Sequence, residues 1–503
     1  MEINDLTEAE RRVWEAFPRD EAVDFRESPD EDPGAGASWG PERTVRAEVL
    51  RSLLLDGPSR EGEIAGLKVW GVRVTGQLNL KYGTVEHGIR LRSCYFERTP
   101  ELYGATVRAL VLSDSVLPGL SGGALRADLV LRLTCCRIAG AVRLPGAQVR
   151  ALFVNGARLG SQVAPPGEEQ PDGDPVLYLN HAVFGTDVWA VGLVAHGQVR
   201  LNDASVGGQV NLDDAELYAY PDRGGDGGGG DYALHAENVS VGSDLRAMRL
   251  RTRGGVNLSG ARIPRQLNLA YARLSHPGGQ ALRTSSAVIG ELWLREAAPV
   301  EGMVNMRRAQ IDVLHVPTGV WPGRLRLDGL GYRVLAPHVP PEERLPLLER
   351  EETGYLPFAY EQLAAAYRTV GDESGARTVQ LAKLRRHRRT LPRLARFWGH
   401  LQDVTVGYGF RPLRAAGWLV ALLLVGSAAF ALERPPPLKA DEAPGFNPVF
   451  FTLDLLLPII GFGQEGAFAP QGWYQWLSYL LIVTGWILAT TTAAGVSRSL
   501  RRQ

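Results

Sequence analysis

Cysteine is scarce in these 503 residues, and the three present, Cys94, Cys135 and Cys136, form neither a disulfide framework nor the spaced pairs of a metal site. They read as buried or half-buried thiols in a reducing compartment. Net charge is lacking too, since 55 Lys and Arg offset 55 Asp and Glu, so no general attraction to nucleic acid is expected. From Met1 to Phe17 charges run throughout, without the basic start and apolar core of a signal peptide. The histidines are scattered and form no His-x-x-x-His pair, so a zinc hydrolase is not supported.

Two long uncharged apolar runs are present near the end, Ala415 to Leu432 and Gly466 to Ser497. At ~1.5 Å per residue about 20 apolar residues cross a bilayer, so both qualify as membrane-spanning helices, over 415–432 and 473–496. Mean hydropathy of the whole chain is only −0.10, which makes the remainder a large watery domain. Lys383, Arg385, Arg386, Arg388, Arg389, Arg393, Arg396, Arg411 and Arg414 precede the first run, and Arg498, Arg501 and Arg502 follow the second. Between them only Arg434 and Lys439 are basic. That asymmetry predicts a plasma-membrane protein with both termini cytoplasmic and an outer apolar connector over 433–472. The arginines at 385, 386, 388 and 389 would anchor at the inner head groups, and Trp473 and Trp476 at the outer interface.

The chain from 61 to 330 repeats an apolar-x-apolar triplet, two or three residues, then Ala-x-apolar. Clear copies are Val199-Arg200-Leu201 with Ala204, and Val210-Asn211-Leu212 with Ala215. A second pair is Val256-Asn257-Leu258 with Ala261, and Leu267-Asn268-Leu269 with Ala272. Each pair steps by eleven residues. Alternation within the triplets fits short strands separated by tight corners, with two units per coil of ~20 to 22 residues and roughly a dozen coils. Two segments interrupt the beat, Gln162 to Pro175 and Tyr220 to Asp231, and read as mobile surface loops.

The Ala-x-apolar corners, such as Ala147/Val149, Ala204/Val206 and Ala309/Ile311, resemble the signature of pentapeptide-repeat proteins. That resemblance implies a right-handed quadrilateral parallel β-solenoid. Its second motif position is often Arg, Gln or Ser here, which implies imperfect coils. Leu6 to Phe17 and Glu42 to Leu55 have helical spacing and read as an N-terminal helical cap over 1–60. Glu342 to Arg350 and Tyr360 to Arg388, the latter broken at Gly371 and Gly375, form a helical and basic segment over 331–400. The latter pair resembles one tetratricopeptide unit.

Candidate chemistry is sparse. Gly36-Ala37-Ser38-Trp39-Gly40 lacks the strand that a nucleophile elbow needs. Gly461-Phe462-Gly463-Gln464-Glu465-Gly466 matches a dinucleotide pattern but lies between two apolar runs. No catalytic, cofactor or metal residue is therefore assigned. Phe446 to Pro458 followed by Ile459-Ile460-Gly461-Phe462-Gly463 resembles the pore module of potassium channels, although Ile459 replaces the filter Thr. The resemblance implies an oligomeric pore lined by Gly461, Phe462 and Gly463, with Asp454 as the one acid deep in the segment.

Trp39-Gly40-Pro41-Glu42-Arg43-Thr44-Val45-Arg46-Ala47, Tyr360-Glu361-Gln362-Leu363-Ala364, Leu453-Asp454 and Gly485-Trp486-Ile487-Leu488 resemble an actinobacterial family commonly labelled membrane-associated oxidoreductase. The label implies redox activity, while no residue is seen that would bind flavin, nicotinamide, haem or an iron–sulfur centre. The residues themselves favour a membrane-anchored solenoid that binds or scaffolds a protein partner at the inner face of the bilayer. A channel gated by the solenoid and the redox enzyme are the alternatives.

Overall fold

A computed structural model describes residues 5–58, 62–160, 175–219, 232–392, 412–439, 443–457 and 461–500. The chain divides into two compact units, Met1–Gly371 and Asp372–Gln503. Both predicted insertions, Pro175 apart, lie outside the described residues, as do Arg393, Arg396, Arg411, Pro458 and Ile459.

The first unit is a parallel β-solenoid of about 11 coils. Its register is carried by one inward column. Leu67 pairs with Ile89, Ile89 with Leu110, Leu110 with Leu131 and Leu131 with Leu152. The column continues through Val188, Val210, Leu245, Leu267, Leu292 and Leu314 to Leu335. Most steps are 21 or 22 residues, matching the coil read from the repeat. The two long ones, Leu152 to Val188 and Val210 to Leu245, contain the insertions.

Each coil has four short sides. Val183–Phe184 and Val188–Trp189 belong to one sheet, Val194–His196 and Gln198–Arg200 to the other. The eleven-residue partners Val199 and Val210 therefore lie in different sheets of one coil. Alternate residues point inward, and the buried Val, Leu, Ile and Ala form one continuous core.

Corners turn on a residue in the left-handed region, followed by a buried residue that is most often alanine but is Val239 after Asn238 and Cys136 after Cys135. Gly104, Gly146 and Gly260 serve at some corners, whereas Asp203, Asn238 and Arg308 do so at φ of 54° to 55°. The turn thus belongs to the residue before the buried one, not to the alanine where there is one. Cys135, at φ 55°, is one such corner residue and is exposed, contrary to the expectation of a buried or half-buried thiol. Cys94 and Cys136 are buried.

The N-terminal segment is more than a helical cap. Helix α1 (Glu8–Ala16) and helix α2 (Ala47–Asp56) extend the core with Val13, Phe17, Leu50 and Leu53. Between them Ala22–Asp24 pairs with Leu67–Trp70, and Thr44–Arg46 pairs with Arg73–Thr75, so each sheet receives an extra strand at its first edge. The motif from Trp39 to Ala47 locks this arrangement. Arg43, stacked 4.0 Å over the Trp39 ring, grips both carboxylate oxygens of Glu31 at 2.7 and 2.9 Å. Arg46 likewise donates to both oxygens of buried Glu10 at 2.7 Å.

At the far end α3 (Pro341–Leu348) and α4 (Pro357–Thr369) close the column. Buried Arg344 donates to the carbonyls of Val316 and Pro337, and Gln362 of α4 donates to the Tyr332 carbonyl on the last strand, Gly331–Ala336. Strand edges at both ends are thereby covered, which blocks pairing with another chain.

The second unit contains α5 (Glu373–Thr390), α6 (Pro412–Leu432), α7 (Pro448–Leu456) and α8 (Trp473–Leu500). Gly371, at φ +81°, ends the preceding helix as expected, but Gly375 sits inside α5, where its N–H caps onto Asp372. Helix α7 packs against both α6 and α8, which also touch each other directly, Leu488 against Leu419 and Leu422. A Cβ on Gly426 would meet Thr452 at 2.4 Å, and one on Gly485 would meet the Leu456 carbonyl at 2.3 Å, so both glycines permit close helix approach. Phe430, Phe451, Leu455, Phe468 and Leu481 fill the space between the helices. Side chains are described over 416–432 and 473–488 of α6 and α8, and among the described residues no helix is long and apolar enough to cross a membrane.

Candidate functional site

The residues singled out in the connector between the two apolar runs do come together. Helix α7 starts at the Asn447 cap and ends at Leu456, which brings Asp454 under the turn at 461–465. Its carboxylate accepts the backbone N–H groups of Phe462, of Gln464 at 2.7 Å and of Glu465 at 3.1 Å. Gln464 in turn bonds Asn447 N and Gly445 O, both at 3.2 Å. Asp454 therefore acts as the anchor of a tight turn. Gly463 takes φ +75° there, and Phe462 is exposed with its ring 5.3 Å from Phe450. Arg385, Arg386, Arg388 and Arg389 lie on α5, two of them in its last turn, and Trp473 and Trp476 are exposed in the first turn of α8.

A second constellation lies on the outer face of the solenoid and was not read from the sequence. Four successive coils stack in register there. One contributes Asp214, Glu216 and Tyr218, the next Arg249, Arg251 and Arg253, the third Tyr271, Arg273 and Ser275, and the fourth Pro299 and Glu301. Because strands alternate, Glu216, Arg251 and Arg273 form one outward column, and Tyr218, Arg253 and Ser275 form the next. Rungs are ~4.8 Å apart and alternate residues ~7 Å apart, which packs four guanidinium groups into a small area.

These side chains line a cleft of about 650 Å³ and an adjoining one of about 370 Å³, which share Glu216, Arg251 and Arg273. Glu216 ties two groups, accepting from Arg251 Nη1 at 2.9 Å and from the Tyr218 hydroxyl at 2.8 Å. Accepting that proton donor, together with burial, raises the Tyr218 pKa. Arg249 pairs with Asp214 at 2.7 Å and holds its carboxyl below the usual range. The Tyr218 ring stacks on His196 at 4.9 Å and 7°, and burial lowers the pKa of His196.

Arg253 faces the Tyr218 ring at 5.8 Å, and among the described residues neither it nor Arg273 has an ion-pair partner. Arg249-Leu250-Arg251-Thr252-Arg253 does carry a sequence signal, arginine at every second position through a corner and the strand that follows it. Its partners on neighbouring coils come from 22 and 35 residues away, which the strand alone does not disclose.

Among the described residues no group of His, Cys, Asp and Glu is placed to hold a metal ion. Burial pushes the Cys94 and Cys136 thiols up to about 12, where they are inert as nucleophiles. No family model matches the chain, and no curated protein and no solved structure shows significant similarity to it.

Proposed function

We propose that the chain is a membrane-anchored β-solenoid that binds or scaffolds a protein partner at the cytoplasmic face of a plasma membrane. One observation carries the anchoring: α6 and α8 turn large apolar side chains outward. Leu424 is 66% exposed, Val425 61%, Leu480 60% and Val483 58%, in stretches without a charged residue. An apolar surface of that kind is stable in lipid and costly in water. The basic residues of α5 and the tail supply the cytoplasmic orientation, and exposed Trp473 and Trp476 suit the opposite interface. The resemblance to pentapeptide repeats supports a right-handed coil.

The solenoid supports the scaffolding part, because its long outward ladders are rigid and repeat at fixed spacing. Carbonate extraction of membranes tests the anchor. The parent chain should stay in the pellet, and Val425→Arg, which adds about 2.5 kcal/mol to insertion at a helix centre, should move a large fraction to the supernatant. A parent chain extracted by carbonate would overturn the anchoring.

The pore reading keeps one supporting observation, the pinned turn at Gly461–Gly463 beside α7. It requires several copies around an axis, so a monomer in detergent would remove it. The oxidoreductase reading rests on the family resemblance alone.

A further inference from the structure

We propose that the arginine lattice on the solenoid face is a binding site for a phosphomonoester, with Arg253 and Arg273 gripping the phosphate and Tyr218 flanking the organic group it carries. The inference goes beyond anchoring and stands without it.

Arg251 and Arg273 are direct register partners on neighbouring coils. Like charges one rung apart repel, and a carboxylate between coils is the usual relief. This solenoid uses it elsewhere: Arg246 meets Asp213 at 2.7 Å and Arg333 meets Asp312 at 2.7 Å. Inside the cleft Glu216 is engaged by Arg251 and the Tyr218 hydroxyl, and Glu301 accepts from the Ser275 hydroxyl at 2.6 Å, so among the described residues Arg253 and Arg273, on adjacent coils, line one space without a carboxylate partner. A dianion matches two such charges. Tetrahedral phosphate oxygens can accept from two planar guanidinium forks arriving from different strands, which a flat carboxylate does less well.

The cleft is larger than a bare ion needs. At about 650 Å³ it has the size of a small-molecule site, and Tyr218, Ala298 and Pro299 supply carbon surface next to the arginines. Tyr218 is held in place from both sides, by Glu216 at its hydroxyl and His196 under its ring. A phosphate on an aromatic or sugar-like group is therefore the chemistry that fits.

The test is calorimetric titration of the full chain in detergent with phenyl phosphate. Saturable binding is expected, weakening as salt rises, and Arg253→Ala and Arg273→Ala should each lower affinity at least about tenfold. Among the described residues neither arginine holds an ion pair, so the unfolding temperature should not move with either change. Arg158→Ala removes an exposed arginine from the same outward column, three rungs before Arg251, and should leave affinity unchanged. Benzoate, a monoanion, should bind at least about tenfold more weakly than phenyl phosphate. Displacement of phenyl phosphate by phosphatidic acid in mixed micelles assigns a lipid carrier, and displacement by a soluble sugar phosphate assigns a free metabolite. Absence of saturable binding at millimolar ligand, or an equal loss in Arg158→Ala, overturns the proposal.

Discussion

Gly242→Ala should open the solenoid at one corner. Gly185, Gly207 and Gly242 occupy the same corner on successive coils. A Cβ on Gly207 would lie 2.4 Å from the Gly185 carbonyl oxygen, and one on Gly242 would lie 2.0 Å from the Gly207 carbonyl oxygen. Restoring ordinary contact requires the coils to part by more than an ångström. That movement breaks the local ladder, in which Gly242 N donates to Val206 O at 2.8 Å and Ser243 N to Gly208 O at 3.0 Å. Two backbone hydrogen bonds at about 1 kcal/mol each, with about 1–3 kcal/mol of packing strain, give a loss of about 3–5 kcal/mol. In a unit of this size that is a drop of roughly 4–6 °C in the unfolding midpoint followed by circular dichroism. Hydrogen exchange should localise the defect to the coils on either side of residues 207 and 242. Gly278→Ala is the control, because nothing lies within 4 Å of its added Cβ. A Gly242→Ala protein that melts with the parent, or a Gly278→Ala protein that falls as far, would refute the corner argument.

Acid should release the N-terminal closure before the coils. Burial alone would raise the Glu10 pKa, but hydrogen bonds from Arg46 and Thr7 outweigh it and hold the carboxyl below its ordinary 4.5. A depressed carboxylate contributes stability that is complete above that value and is lost as pH falls through the lowered one. Hydrogen exchange over residues 5–58 should therefore accelerate below about pH 4.5, and Glu10→Gln should cost about 2 kcal/mol and abolish that pH response. Iodoacetamide on the native protein should modify Cys135 alone, and all three thiols should react after denaturation. Rapid labelling of Cys94 or Cys136 in the native state would contradict their burial.

Much of the core was legible because its signal is local. Val199, Leu201, Val210 and Leu212 alternate within five-residue strands and recur after eleven residues, and that is sufficient to predict stacked coils. The corners were half legible. Buried alanines such as Ala204 and Ala261 announce them, yet the left-handed residue that makes the turn is Asp203 in one coil, Gly260 in another and Arg249 in a third. No single residue type marks the position, since a solvent-facing corner tolerates any side chain that can bear about 1 kcal/mol of strain. Ala22–Asp24 and Thr44–Arg46 escaped notice because three-residue strands flanked by charges carry no period.

The surface site was hidden for a different reason. Core chemistry depends on what each strand buries, whereas surface chemistry depends on which strands are neighbours, and that is fixed by register. The insertion after Ala219 changes the register separation from the 22 residues between Val194 and Glu216 to the 35 between Glu216 and Arg251. A reader of the beat who does not know that the extra residues are absorbed at one corner would slide Arg251 away from Glu216 and scatter the lattice. His196-Gly197-Gln198 and Arg253-Gly254-Gly255 turn that same corner tightly in the alternate coils. The lattice exists because the corner takes up the added length while every inward leucine keeps its place.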